Sequence, residues 1–264
     1  MRILDWQEFA ASRSALLWSV TIGAFDGVHL GHRKLIGSVR SKEPLAKSAV
    51  ITFRENPKRI LRPQTYGGSI TSLAQRLEAI GACGVQSCIL IDFSENFGTL
   101  SGASFLASLE AAGVGFIFVG PNFRCGHRMD TNAQRLRVLA AGLGMEAYIV
   151  DPLYFAGHPV SSSRIRNAIL EGRLADAAAM LGRPYSIDIG VDWKADGASW
   201  KAEAVEGVLL PPEGRYLGRF EGEGEKNELR AFVAGGAIVV DREPRGSGRL
   251  VLLETVSLEE KKEI

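Results

Sequence analysis

The stretch GAFDGVHLGH, residues 23–32, decides the fold, because it joins a glycine-rich turn to a pair of histidines. An apolar, β-branched run at residues 16–22 precedes it, and a segment with helical spacing at residues 32–42 follows it. Its three glycines permit a tight turn and a close approach of the backbone to a ligand. A strand, a glycine-rich turn and a helix in this order are typical of a phosphate-binding site in an α/β protein.

His29 and His32 lie three residues apart, where the turn becomes a helix. The first turn of a helix offers unpaired backbone N–H groups and the positive end of the helix dipole, and both favour a phosphate. Two imidazoles beside a phosphate suit a reaction that builds negative charge on phosphoryl oxygens. The chain has only 4 histidines, and two of them fall in this segment. The pattern therefore favours a joint catalytic role over two unrelated surface histidines.

Strand-like and helix-like segments alternate along the first part of the chain. Apolar, β-branched runs lie at residues 16–22, 49–53, 87–93, 115–119 and 146–150. Helical spacing occurs at residues 32–42, 72–80, 102–112 and 132–143. This alternation predicts a doubly wound α/β fold, in which helices cover both faces of a parallel sheet. Ligands of such sheets bind at the carboxyl ends of the strands.

The pattern changes after the sequence LGRPY at residues 181–185. Short apolar stretches follow at residues 187–193, 200–210, 216–220, 228–233, 237–240 and 249–256. Clusters of Gly, Pro and Asp separate them, which is typical of turns between antiparallel strands. The sequence therefore predicts a parallel-sheet domain at residues 1–184 and a small antiparallel β-barrel domain at residues 185–264.

The composition is that of an ordinary globular protein, with 264 residues of which 46% are hydrophobic and 23% are charged. It excludes a disordered chain or a collagen-like repeat. The 3 cysteines form no CxxC pair, so neither a zinc site nor a disulfide framework is expected, and a reducing compartment fits best. No apolar run has the length of a membrane span, and the first residues lack a signal-peptide pattern. We therefore expect a cytoplasmic protein that has no membrane partner.

Charge is unevenly distributed along the chain. Residues 1–185 carry 20 basic and 14 acidic residues, whereas residues 186–264 carry 11 basic and 16 acidic ones. An anionic small-molecule ligand would favour the first part. No dense block of Lys and Arg occurs, and no aromatic residues alternate with basic ones, so a nucleic-acid partner is not expected. We expect small-molecule substrates and a monomer or weak oligomer.

A serine run followed by arginines begins another predicted helix. The residues are Ser161, Ser162, Ser163, Arg164 and Arg166. Hydroxyl groups, backbone N–H groups of the first turn and guanidinium groups together make an anion site. An ordinary serine N-cap with exposed arginines explains the same pattern equally well, so the motif alone does not decide between the two.

Five ordered segments resemble one known family. Residues 22–35 resemble the nucleotidylyltransferase superfamily with an HxGH loop, in the FDGVHxGH form of the prokaryotic FAD synthetases. The serine run is similar to the superfamily's second phosphate motif, with Ser161, Ser162, Ser163 and Arg166 in register. The other matches are TF followed by Pro57, VGPNFRCG at residues 119–126, and a helix at residues 168–181 that ends in LGRPY.

This resemblance implies FAD synthesis by transfer of AMP from ATP to FMN, with Mg²⁺ as the cofactor. The implied catalytic residues are His29, His32 and Arg166. The implied nucleotide-binding residues are Gly23, Ala24, Phe25, Asp26, Gly31, Ser161, Ser162, Ser163 and Arg164. The implied flavin-binding residues are Asn56, Asn122 and Phe123. The resemblance identifies no metal ligand in this chain.

The chain departs from the family pattern at several positions. Asn56 stands where the family usually has a histidine, and Cys125 replaces a phenylalanine. The family's riboflavin kinase module carries a G-x-PTAN segment after GRPY, and no PTAN occurs in this chain. We therefore expect the C-terminal domain to be a reduced kinase module that does not phosphorylate riboflavin.

Three alternatives remain at this point. The chain could be a bifunctional enzyme that also phosphorylates riboflavin to FMN at a divergent site. It could be another HxGH transferase, such as a cytidylyltransferase, although the FDGVHxGH form and GRPY favour FAD synthesis. It could also be a non-catalytic protein that binds flavin or nucleotide, which the intact histidine pair and Arg166 disfavour.

Overall fold

The computed structural model describes residues 1–12, 17–93, 95–190, 193–222, 225–244 and 246–256. Parts of two predicted strands, Leu16 and residues 191–192, lie outside the described residues. The chain divides into two compact units. The first comprises Met1–Tyr66 and Arg76–Pro159, and the second comprises Gly67–Gln75 and Val160–Ile264.

The first unit is built on a parallel sheet of six strands with two small hairpins beside it. Its strands are β1 (Arg2–Asp5), β2 (Leu17–Ile22), β3 (Ala46–Phe53), β4 (Ser87–Ile91), β5 (Val114–Val119), β6 (Arg124–Cys125), β7 (Thr131–Asn132), β8 (Glu146–Ile149), β9 (Tyr154–Phe155) and β10 (His158–Pro159). The large sheet has the order β1-β4-β3-β2-β5-β8, and every neighbouring pair in it is parallel. This confirms the predicted fold class. β1, a short edge strand, was not predicted.

Helices connect the strands of this sheet. The α-helices described before residue 160 are α1 (Trp6–Ala11), α2 (Leu30–Arg40), α3 (Pro57–Leu61), α4 (Leu73–Gly81), α5 (Glu95–Gly98), α6 (Gly102–Ala111) and α7 (Ala133–Gly142). The four longest, α2, α4, α6 and α7, agree with the four segments of helical spacing to within about two residues. The three short helices were not predicted, because fewer than two turns leave little periodicity to recognise.

The core of the first unit lies against both faces of the sheet. All five residues of β4 are buried, and in β2 only Leu17 is exposed. A strand buried on both faces has a continuous apolar run instead of an alternating one. Such strands contribute strongly to stability, because truncating a buried isoleucine to alanine costs about 2–5 kcal/mol.

The strand order reverses at the centre of this sheet. The chain passes from β2 to β3 and β4 on one side, and then returns to β5 and β8 on the other side. A reversal of this kind leaves a crevice at the carboxyl ends of the two central strands, and ligands of doubly wound sheets bind there. The glycine-rich loop of residues 23–29 follows β2, and residues 120–123 follow β5. The topology therefore brings two of the predicted segments to the same edge of the sheet.

The second unit combines two helices with a curled antiparallel sheet. Its elements are α8 (Ser162–Leu170), α9 (Leu174–Leu181), β11 (Tyr185–Ile189), β12 (Lys194–Asp196), β13 (Ser199–Glu203), β14 (Gly214–Gly222), β15 (Glu225–Ala234), β16 (Ala237–Val240) and β17 (Gly248–Val256). The seven strands have the order β11-β17-β14-β15-β16-β13-β12 and form a half-barrel. This confirms the predicted antiparallel domain.

Two details of the second unit differ from the expectation. The helix expected at residues 168–181 is broken, because Gly172 adopts a φ of 72° between α8 and α9. The stretch at residues 200–210 is a strand only as far as Glu203, where β13 ends. The half-barrel begins at Tyr185, and α8 and α9 belong to the same compact unit as the half-barrel. The division into functional domains at residue 184 stays a prediction.

None of the described helices combines the length and the apolar character that crossing a bilayer requires.

Candidate active site

The loop after β2 holds two non-glycine residues in unfavourable backbone conformations. Phe25 and Val28 have φ values of 49° and 40°, and Gly27 has a φ of 84°. A positive φ is a true outlier for a β-branched residue such as Val28, and it costs roughly 1–3 kcal/mol. The side chains of Phe25 and Val28 are buried, which offsets this cost. Strain of this kind concentrates at functional sites, where the surrounding structure enforces it.

Neighbouring strands hold the loop in place. The Gly23 N–H donates to the carbonyl of Ile51 at 3.1 Å, and the Val28 N–H donates to the carbonyl of Phe25 at the same distance. A Cβ at Gly23 would lie only 3.3 Å from the ring of Phe25, so this position has little space for a side chain. The hydroxyl of Thr52 donates to the carbonyl of Ala24 at 3.2 Å.

Sequence reasoning missed Arg76, which lies on α4 and contacts this loop. Its guanidinium donates to the carbonyl of Ala24 at 3.2 Å and to the carbonyls of Phe53 and Arg54. Only 4% of its surface is exposed. Burial lowers the pKa of Arg76, and the buried carboxylate of Asp26 opposes this shift. Arg76 is therefore a buried cation that joins the histidine loop to the end of β3.

His29 forms the N-cap of α2. Its Nδ1 accepts a hydrogen bond from the backbone N–H of His32 at 3.2 Å. In the neutral ring the proton therefore lies on Nε2, which makes that atom a donor. The two imidazole rings are stacked, with centroids 3.6 Å apart and an interplanar angle of 15°. No acidic residue lies in the first turn of α2, so the positive end of the helix dipole is unopposed there.

His32 is kept neutral by its surroundings. Its ring contacts the ring of Phe25 edge-on, with centroids 5.0 Å apart. Burial lowers the pKa of His32 well below 6.5, and the neighbouring imidazole of His29 lowers this pKa further. Its Nδ1 is buried and has no hydrogen-bond partner among the residues that the structure describes. A buried polar atom without a partner is uncommon, and such atoms occur at catalytic sites.

The predicted flavin residues lie after the ends of β3 and β5. Asn122 is exposed in the turn after β5, and Phe123 is half-buried against the core. Asn56 is buried and caps α3, because its Oδ1 accepts a hydrogen bond from the N–H of Lys58 at 3.1 Å. Asn56 therefore stabilises the start of α3. Contact of Asn56, Asn122 and Phe123 with flavin stays a prediction.

Three half-buried phenylalanines at the same edge of the sheet were missed by the sequence analysis. Phe53 ends β3, Phe93 follows β4 and Phe97 lies on α5. Their ring centroids are 5.7–6.2 Å apart in tilted and edge-on arrangements. An aromatic surface of this kind suits a planar aromatic ligand. The signal in the sequence is the aromatic residue at or just after the end of two successive strands.

The serine motif begins α8, as predicted. Ser161 is the N-cap, and its Oγ accepts a hydrogen bond from the N–H of Arg164 at 3.3 Å. Ser162 and Ser163 are the first two residues of the helix. Arg166 is half-buried, and its Nε donates to the carbonyl of Gly68 at 3.1 Å. These residues belong to the second compact unit, whereas the histidine loop belongs to the first.

The sequence identifies no side chains that bind a metal ion. Within the described ranges, the structure holds no group of three or more His, Cys, Asp or Glu side chains arranged to bind a metal ion. Such a group is what an all-protein site for a divalent cation would need.

Comparison with known proteins identifies the family. The sequence profile described as FAD synthetase matches residues 13–164, which is more than half of the chain. The chain belongs to the FAD synthetase family. The match contains the whole histidine loop and ends at Arg164, inside the serine motif.

Several relatives in this family are named bifunctional riboflavin kinase/FMN adenylyltransferase. The protein of Buchnera aphidicola subsp. Acyrthosiphon pisum is 31% identical over 173 residues, which cover 64% of this chain and 55% of that protein. The protein of Escherichia coli strain K12 is 27% identical over 172 residues, with coverages of 64% and 55%. The protein of Listeria monocytogenes is 30% identical over 218 residues, with coverages of 78% and 68%. The chain thus spans about half the length of the first two FAD synthetase relatives.

One solved structure has a similar fold over nearly the whole chain. It is described as a macrolide-efflux protein from Streptococcus pneumoniae, and it has a TM-score of 0.84 and 24% identity. The match covers 98% of this FAD synthetase family member and 95% of that chain. At this level of identity, the likeness concerns the fold alone.

Proposed function

We propose that this protein is an FMN adenylyltransferase, which transfers AMP from ATP to FMN and releases pyrophosphate. The observation that carries the proposal is the stacked pair of His29 and His32 at the N-terminus of α2, on the crevice where the strand order reverses. Membership of the FAD synthetase family supports the choice of substrates. The names of the relatives point to the same reaction.

The proposed reaction needs no strong base. A terminal phosphate oxygen of FMN, already an anion at neutral pH, attacks the α-phosphorus of ATP. The bond between the α-phosphorus and the oxygen that bridges to the β-phosphate breaks, and pyrophosphate leaves. Catalysis of such a step consists mainly of positioning and charge neutralisation. Mg²⁺ enters this proposal as part of the Mg-ATP substrate.

In this proposal the two histidines bind the phosphoryl oxygens of ATP. The Nε2–H of His29 acts as a fixed donor, because its Nδ1 is already engaged with the backbone of His32. His32, a neutral imidazole in the free protein, donates a ring N–H hydrogen bond to a phosphoryl oxygen as negative charge develops there. Donors that are already oriented cost no reorganisation during the reaction, and a single one is worth roughly 3–4 kcal/mol.

The remaining predicted residues take supporting roles. Ser162, Ser163 and Arg166 bind the β- and γ-phosphates, which become the leaving group. The backbone at residues 23–25 approaches the adenosine. Asn122 and Phe123 contact the FMN.

The aromatic surface of Phe53, Phe93 and Phe97 offers the isoalloxazine ring a place to pack in this proposal. Each of these phenylalanines is half-buried, so each retains some exposed ring surface. Stacking or edge contacts between aromatic rings are worth about 0.5–1.5 kcal/mol beyond the area that they bury.

A flavin assay tests the proposed function. The purified protein is incubated with Mg-ATP and FMN, and the flavins are separated by liquid chromatography. FAD and pyrophosphate in equal amounts are expected. A variant in which both histidines are replaced by alanine serves as the matched control and should form little FAD. A parallel reaction with CTP in place of ATP tests whether the protein transfers a different nucleotide. If the wild-type protein forms no FAD from Mg-ATP and FMN, the proposal is refuted.

We also propose that residues 186–264 do not phosphorylate riboflavin, although the relatives are named bifunctional. The observation behind this is the missing PTAN segment, since a kinase must hold Mg²⁺ and the ATP phosphates together in a fixed geometry. The same assay with riboflavin and Mg-ATP should yield no FMN. Conversion of riboflavin to FMN at a rate that survives His29→Ala would overturn this proposal.

A further inference from the structure

A segment far from the half-barrel in sequence belongs to the half-barrel's compact unit. This segment, residues 67–75, is referred to as the strap. The strap makes a parallel bridge to the loop after β13, because the Ser69 N–H donates to the carbonyl of Gly207 at 2.7 Å and the Leu209 N–H donates to the carbonyl of Ser69 at 2.8 Å. Ile70 and Thr71, which follow, are both buried. The strap is therefore a packed part of the second unit.

The end of the strap is tied to β11 by polar side chains. The hydroxyl of Ser72 donates to a carboxylate oxygen of Asp188, and Nε2 of Gln75 donates to the carbonyl and the hydroxyl of Ser186 at 3.1 Å each. Ser72 and Gln75 also bond reciprocally through side chain and backbone, at 3.0 and 3.1 Å, as a capping box for α4. The other carboxylate oxygen of Asp188 accepts from Nε of Arg249 at 2.9 Å.

The beginning of the strap contacts Arg166. The carbonyl of Gly68 accepts the Nε–H of Arg166 at 3.1 Å, and a Cβ at Gly67 would lie 3.9 Å from Cδ of the same arginine. Gly68 has a φ of 99°, and its Cα lies so close to the loop after β13 that a Cβ would meet the Gly207 carbonyl at 3.3 Å. The direction of the Gly68 carbonyl is thus set by the half-barrel, and that carbonyl fixes one edge of the guanidinium.

We propose that the half-barrel acts, through the strap, as a positioning device for Arg166, with Asp188 and Ser72 as positioning residues. This inference rests on the proposed function, in which Arg166 binds the β- and γ-phosphates of ATP. A guanidinium recognises phosphate through two parallel N–H bonds, so its orientation matters as well as its charge. The half-barrel then has a role in adenylyl transfer that is independent of any kinase activity.

The test is a kinetic comparison of strap variants in FAD synthesis. Ser72→Ala removes the bond to Asp188 and the capping bond from the Gln75 N–H, and it leaves the pair of Asp188 and Arg249 in place. We expect its KM for ATP to rise roughly threefold to tenfold, which is the factor for one hydrogen bond of ordinary strength. Its KM for FMN and its kcat should change less than twofold. Asp188→Ala should also raise the KM for ATP. Asp188→Asn keeps an acceptor oxygen, so its KM for ATP should lie between those of wild-type protein and Asp188→Ala.

A double variant separates positioning from a general loss of stability. If Ser72 acts through Arg166, adding Ser72→Ala to Arg166→Ala should raise the KM for ATP no further, because coupled residues are not additive. Asp241→Ala is the matched control, since Asp241 follows β16 and its Oδ1 accepts from the N–H of Arg230 on β15 at 3.1 Å. It should leave the KM for ATP unchanged. Thermal unfolding of each variant confirms that it is folded.

The outcomes distinguish the two proposals. If wild-type protein makes no FAD, the proposed function and this inference both fail. If wild-type protein makes FAD but Ser72→Ala and Asp188→Ala leave the KM for ATP unchanged, this inference alone fails. It also fails if the effects of Ser72→Ala and Arg166→Ala multiply in the double variant, because Ser72 would then act independently of the guanidinium.

Discussion

Replacing His32 by glutamine should change how the stability of the protein and its binding of ATP depend on pH. Burial and the stacked ring of His29 lower the pKa of His32 well below 6.5 in the folded protein. In the unfolded chain the same imidazole titrates near 6.5. Between these two pKa values the unfolded state therefore binds one more proton than the folded state does.

The sign of the effect follows from this difference in bound protons. Stability rises with pH wherever the unfolded state binds more protons, and one proton corresponds to about 1.4 kcal/mol per pH unit. The contribution of His32 to the free energy of unfolding is fully present above pH 6.5 and is lost as the pH falls through the folded-state pKa. Wild-type protein should therefore lose stability as the pH falls from 6.5 towards the folded-state pKa of His32, and His32→Gln should not show this loss.

Urea unfolding at a series of pH values measures the difference directly. His158→Gln is the matched control, because it removes an exposed imidazole from the first unit. An NMR titration of the histidine Cε1–H signals locates the pKa of His32 itself. Equal pH dependence of wild-type protein and His32→Gln would refute the assignment of a half-buried, neutral imidazole.

The His32→Gln substitution should also change the number of protons taken up when ATP binds. A triphosphate beside His32 favours the charged imidazole and raises its pKa. Binding of ATP near pH 6 should therefore take up protons, up to one for each ATP bound. Calorimetric titration in two buffers with different ionisation enthalpies measures this uptake. His32→Gln should reduce it, and equal uptake in both proteins would show that the proton goes elsewhere.

Three further variants test the rest of the site. His29→Ala should lower turnover about a hundredfold or more and leave FMN binding nearly unchanged, since it removes a transition-state contact; full FAD synthesis would contradict its assigned role. Arg166→Ala should raise the KM for ATP more than the KM for FMN, with partial rescue in Arg166→Lys, because an ammonium cannot reproduce the guanidinium fork; an unchanged KM for ATP would count against this site. Arg76→Met should lower the free energy of unfolding by roughly 3–5 kcal/mol and lower FAD synthesis, because it removes a buried cation that faces a buried carboxylate. The exposed Arg137→Met is its control in urea unfolding, and equal stability of the two variants would contradict the role of Arg76.

Much of the fold was predictable because the central strands are buried on both faces. β2, β3, β4 and β5 correspond to four of the five predicted runs, since continuous apolar sequence marks such strands. β8, an edge strand with no buried residue, corresponds to the fifth. The half-barrel strands were also recognisable, because turn clusters separate them. β1 has only four residues, three of them exposed, so it carries no such pattern.

The local part of the candidate site was predictable, and the long-range part was not. The capping roles of His29 and Ser161 depend on residues three positions away, so the sequence contains both partners in one short segment. The bond from Arg166 to Gly68 joins residues 98 positions apart. The hydrogen bond from Ser72 to Asp188, which ties the strap to β11, joins residues 116 positions apart. Spacing along one chain does not reveal such pairs, because they depend on how the elements pack.

Arg76 shows why the conformation of the histidine loop could not be predicted from the loop's own residues. An arginine on an amphipathic helix is ordinarily solvated, and arginines are almost never fully buried without partners. Here the partners are backbone carbonyls that protein packing alone brings together, those of Ala24, Phe53 and Arg54. Because these carbonyls lie at or just beyond the ends of β2 and β3, the guanidinium links two strands to the strained loop between β2 and α2. The orientation of the histidines is therefore a property of the folded sheet edge, and the HxGH sequence supplies only the imidazoles.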